Sequence, residues 1–139
     1  MCNRRDAGSI WEDSMRVGLP KFDEERKELT KLIEHLDLRP LHSICSDFFI
    51  LKFGIFQAAV KAFFEHEEIL FRELQLPDSV KKNHIEDHCR ILQMLNAVYL
   101  DSMNKKNQTA IDTYQHIRND IRQHISKFGQ DLREYISQQ

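Results

Sequence analysis

Four stretches of this chain carry apolar residues at alternating three- and four-residue spacing, and a stripe of that period is the buried face of a helix. The first stretch runs from about Phe22 to Asp37, reads Phe22, Leu29, Ile33 and Leu36, and ends at Arg39-Pro40. The second is long, from about Ile44 to Leu74. It reads Phe56, Val60, Phe63, Leu70 and Leu74, with Gly54 inside it as a weak point. Pro77-Asp78-Ser79 then break the chain and offer caps for a third helix, which runs to about Met103 through Ile91, Leu95 and Val98. After a polar loop, Asn104 to Gln108, a fourth stretch runs from about Thr109 to Ser137 through Ile117, Ile121, Phe128, Leu132 and Tyr135. Short connections between such helices predict an all-α, antiparallel up-down-up-down four-helix bundle over residues 21–139. An N-terminal arm, residues 1–20, precedes it and contains Trp11 and Val17-Gly18-Leu19-Pro20.

Composition narrows the function classes. A chain of 139 residues suits one domain with a core of its own, and an apolar fraction of 41% is too high for a disordered chain. The formal net charge of −2 argues against nucleic acid as a partner. No apolar run approaches the roughly 20 residues that span a bilayer, and no secretory signal is expected. Cys2, Cys45 and Cys89 form no C-x-x-C pair, which fits free thiols and a cytoplasmic setting. Cys89 is expected to turn away from its neighbour His88 as a small packing residue. The aromatic cluster Phe48, Phe49, Phe53 and Phe56 reads as core or subunit contact, and a homodimer is compatible with it.

The stripes are not clean. Arg26, Glu67, His84, His88 and His124 stand where apolar residues are expected, at least one from each helix. A buried ionised group costs several kcal/mol unless it is paired or bound to a metal, so these residues need a shared explanation. In an antiparallel bundle all of them fall in one half. His84 and His88, one turn apart, share a helix face. With His124 and Glu67 approaching from flanking helices, three nitrogens and one oxygen would suit iron, zinc, manganese or another divalent ion. His35, His42, His66 and His116 read as solvated, with His66 as the substitute ligand if the register differs.

The same residues resemble the hemerythrin family, from Trp11 to Tyr135. Trp11, Val17-Gly18-Leu19 and Phe22-Asp23-Glu24-Glu25-Arg26-Lys27 are similar to that family's opening. Phe63-Phe64-Glu65-His66-Glu67-Glu68 is similar to its H-F-x-x-E-E segment. Leu76-Pro77 with His84-x-x-x-His88, and His124-Ile125-Ser126-Lys127-Phe128-Gly129, follow in the family's order. The resemblance implies a bundle with Trp11 packed across it. Family members hold two irons, one on three histidines and one on two, bridged by a glutamate and an aspartate. Oxygen binds at the two-histidine iron.

On that comparison His84, His88 and His124 match the three-histidine iron and Glu67 the bridging glutamate. Arg26 and Phe63 replace the histidines of the other iron, and Gly129 replaces the bridging aspartate. The expectation is therefore a single ion, iron or zinc or another divalent metal. Arg26 would stand in for the missing cation and hydrogen-bond the free oxygen of Glu67. Phe63 would close the oxygen side. Counting the ion, Arg26 and Glu67 leaves about two positive charges uncompensated, so water, hydroxide or a small anion would complete the shell. Glu25 is a further candidate ligand. Reversible oxygen carriage needs both irons, so the expected role is a metal-binding sensor or regulator of iron, oxygen or redox state. A mononuclear iron enzyme or gas-binding protein, a metal-free interaction scaffold that uses only the outer faces of the helices, and a relic in which Arg26 pairs with Glu67 in an empty site stand beside it.

Overall fold

The computed structural model describes Trp11, residues 15–36 and residues 46–138. Its helices are α1 (Pro20–His35), α2 (Ser46–Leu74), α3 (Asp78–Met103) and α4 (Asn107–Ser137). The all-α fold is as expected. Cys2, His42, Cys45, the Arg39-Pro40 stop and the side chain of Phe48 lie outside the described residues.

Helix α1 starts two residues earlier than the stripe alone predicts, because Pro20 supplies a preset φ at the first helical position. Gly54 does not interrupt α2. The connections α2–α3 and α3–α4 turn through Gln75 and Lys105, each with positive φ, 55° and 64°. Such tight links force antiparallel neighbours. Helix α3 differs from expectation at its start. Pro77 occupies the cap position and no side chain caps the helix, while Asp78 is already helical and pairs with Lys81.

Each helix packs on the next in sequence, and α1 also meets α4, so the ring closes around a common core. One half of that core is aromatic: Phe49, Phe53, Phe56 and Tyr114 meet in stacked, tilted and edge contacts. Tyr114 carries its hydroxyl into the interior and donates it to Ile33 O at 3.2 Å. In the other half Phe22, Phe63, Phe64, Phe71 and Phe128 surround the polar residues of the stripes.

The arm is fastened by α1. Gly18, at φ 91°, turns the backbone so that the amides of Val17 and Gly18 donate to the two oxygens of Asp23 at 2.9 and 3.1 Å. Only glycine adopts that φ without strain. Trp11 lies across the guanidinium of Arg26, 5.2 Å from Cζ to ring centroid.

Candidate metal centre

Glu67 of α2, His88 of α3 and His124 of α4 are buried and meet at one point. Glu67 Oε1 lies 2.7 Å from His88 Nε2 and 2.8 Å from His124 Nε2. The two Nε2 atoms are 3.0 Å apart. The outer nitrogens are fixed by carboxylates: His88 Nδ1 lies 2.7 Å from Glu68 Oε2, and His124 Nδ1 lies 2.8 Å from Asp87 Oδ2. An ionised carboxylate only accepts, so the proton sits on each Nδ1 and each Nε2 turns inward. This is how histidine ligands are oriented around metals.

Aromatic rings hold that orientation. Phe64 stacks on the His88 ring at 4.0 Å and 7°, Phe71 stacks on it from 5.9 Å, and Phe64 meets His124 edge-on at 5.1 Å. Neither phenylalanine lies on the stripe drawn from the sequence, though both are apolar and flank Glu67 at helical spacing.

The electrostatics follow from this convergence. Burial pushes the Glu67 carboxyl up, but the charges and hydrogen bonds of His124 and His88 outweigh it and hold Glu67 ionised, below the ordinary value. Burial pushes His124 down, yet the charge of Glu67 and the hydrogen bond it donates to Asp87 raise it to about 9. Asp87 is held at about 2, against its own burial, by His124 and Arg90. A proton on His124 Nε2 can serve one contact to Glu67. The second imidazole nitrogen, His88 Nε2, crowds the same Glu67 oxygen at 2.7 Å and lies 3.0 Å from His124 Nε2. One cation in the middle would satisfy all three atoms. Donors each about 2.1 Å from one ion stand about 3.0 Å apart at a right angle. The observed separations of 2.7 to 3.0 Å reach that spacing at their upper end and lie within hydrogen-bond range throughout.

His84 is buried beside the group, its ring 5.2 Å from that of His124. Its Nε2 faces away, 3.0 Å from Asp131 Oδ2, and Lys127 holds the other oxygen of Asp131. Burial lowers the His84 pKa despite Asp131, so a neutral ring donates to that carboxylate. His84 and His124 also line a cleft of about 470 Å³ between α3 and α4, which opens to solvent past Asp87 and Asp131.

Arg26, Gly129 and Phe63 form a second cluster, joined through Phe22. Arg26 is buried but does not bond Glu67. Its Nη1 donates to Met15 O at 2.7 Å and Asp23 Oδ1 at 3.3 Å, and its Nη2 to Ile125 O at 3.0 Å. Asp23, one turn earlier on the same helix, captures the guanidinium first. Glu67 Oε2 and Arg26 Nε are each left buried with no hydrogen-bond partner among the described residues. The two charges still act on each other: burial lowers the Arg26 pKa, and Asp23 and Glu67 oppose it. Gly129 leaves the space the guanidinium fills. Phe63 stacks on Phe22 at 5.7 Å.

Three further expectations change. His66 is exposed, as its solvated reading expects, and it pairs with Glu25 at 2.7 Å, so Glu25 does not reach the centre. His35 and His116 are exposed as expected. Cys89 turns outward but is exposed rather than packed. The surplus of positive charge also disappears, because Asp23, Glu68, Asp87 and Asp131 ring the polar core. These carboxylates carry no periodic signal. Only their adjacency to the stripe, as in Asp87-His88 and Glu67-Glu68, could have marked them.

No family model, curated protein or solved structure matches this chain. Among the described residues no helix is long and apolar enough to cross a membrane.

Proposed function

We propose that this protein holds a single divalent ion, iron in the first instance, and that occupancy of the site is what it senses or reports. The convergence of Glu67 Oε1, His88 Nε2 and His124 Nε2 within 3.0 Å carries the reading. His84 is the fourth ligand in this proposal, released from Asp131 when the ion is present. The hemerythrin resemblance supports the same set, with Arg26, Phe63 and Gly129 marking the lost half of a two-iron centre. Three helices contribute ligands, so occupancy would tie α2, α3 and α4 together and bias their packing. Arg26 keeps positive charge near Glu67 without acting as a ligand.

A bound ion would supply Lewis acidity and, for iron, a redox-active centre with open positions. Two histidines and one carboxylate are also the donor set of mononuclear iron oxygenases. That composition favours a second reading as an iron enzyme or a protein that binds oxygen or nitric oxide, with water, hydroxide or a small anion as the remaining ligand.

Elemental analysis of freshly purified protein, joined to titration of metal-free protein with iron(II) and zinc, tests the proposal. One equivalent bound, lost in Glu67→Ala, is the expected result. An iron chromophore that responds to oxygen or nitric oxide favours the second reading. Two equivalents would overturn the single-ion site, and no binding would leave a metal-free scaffold.

A further inference from the structure

Gly54 sits inside α2 with nothing near it: a Cβ there would meet no atom within 4 Å. A glycine in a helix interior is destabilising relative to alanine, and the fold of this subunit draws no packing benefit from it. Its neighbours are unusual too. Leu51 and Ile55 are 64% and 61% exposed. With Ile50, Ala58 and Tyr99 they line a shallow groove of about 600 Å³.

Asp47, Leu51, Gly54, Ala58 and Lys61 succeed one another at spacings of four, three, four and three, which is the seam of a helix that packs on another helix. The seam has a second property. Asp47 and Lys61 lie seven residues before and seven after Gly54. An identical helix laid antiparallel across the glycine would place each Asp47 against the Lys61 of the other copy, at both ends of a span of about 21 Å. Leu51 would meet Ala58, large against small. Asp47 and Lys61 are exposed, and among the described residues neither has an ion pair within its own chain. Such a two-fold contact is self-complementary and closes on itself.

We infer that the outward face of α2 is a homodimer interface, in which a second copy crosses antiparallel at Gly54 with Asp47 and Lys61 paired reciprocally. The glycine then admits close approach of two backbones, and the exposed leucine and isoleucine are covered. The inference is independent of the metal centre, which lies on the inward face of α2.

Sedimentation equilibrium of the full chain tests it, with circular dichroism as the check on folding. A dimer is expected. Lys61→Asp should weaken it about tenfold, because two attractive contacts become repulsive. Asp47→Lys combined with Lys61→Asp should restore it. Gly54→Leu, which has open space in the subunit, should give a folded monomer. A wild-type monomer at every concentration overturns the proposal. So does a dimer that survives Gly54→Leu, or one whose loss in Lys61→Asp the double exchange fails to repair.

Discussion

Arg26 and Gly129 occupy each other's space: a Cβ built on Gly129 would overlap Arg26 Nη2 and stand 3.1 Å from Cζ. The arginine and the glycine are sterically complementary. A guanidinium can enter this half of the core only if the facing position on α4 has no side chain.

Gly129→Ala should therefore destabilise the protein, although alanine ordinarily favours a helix by about 1 kcal/mol over glycine. Overpacking at a site this confined costs about 1–3 kcal/mol. Thermal melts of Gly129→Ala, Arg26→Leu and the double variant check this. The double variant should be more stable than the two single effects added together. Strict additivity would show that the two residues are not coupled.

Metal should raise the melting temperature, since it binds only the folded chain. Chelator should reverse the gain. In His88→Ala and His124→Ala the difference between metal-loaded and metal-free melts should vanish. In His84→Ala it should shrink but persist, because His84 Nε2 is engaged by Asp131 rather than aimed at the centre.

Asp87→Asn and Glu68→Gln should weaken metal binding about 10–100-fold without removing a ligand, because each carboxylate holds an Nδ1 proton in place. Asp87→Asn should be the more severe. Asp87 is the more sheltered carboxylate, its side chain 28% exposed against 36% for Glu68. Isothermal titration of each variant with zinc reads the change.

The metal-free protein should lose stability as pH rises from about 6.5 towards 9. The folded pKa of His124 is raised to about 9 from an ordinary value of 6.5. The stabilisation from its proton is thus complete below the unfolded value and lost as pH climbs through the folded one. Metal must displace that proton, so affinity should rise about tenfold per pH unit over the same window. Denaturant melts and metal titrations at pH 6.5, 7.5 and 8.5 check both signs. A metal affinity that is flat in pH would mean the proton and the ion do not compete.

Much of the site was legible in the sequence. Glu67, His88 and His124 stand on apolar stripes where a charge needs a partner, and all three prove buried. Asp23, Glu68, Asp87 and Asp131 were not legible, because acidic residues beside a stripe usually face water. Arg26 is buried as its place on the stripe predicts, but its bonds go to Asp23 and two backbone carbonyls rather than to Glu67. Its side chain is long enough to choose among several acceptors.

The sequence alone determined which faces of the four helices turn inward, because a 3.6-residue period admits one buried face per helix. Tertiary structure decided which atoms meet. Glu67 and His124 are 57 residues apart, and their contact depends on how far α2 and α4 are rotated and slid against each other. Periodicity fixes neither rotation nor slide to within a side chain's reach. It therefore could not say that His84 would point to Asp131, or that Arg26 would be held by Asp23 and two backbone carbonyls.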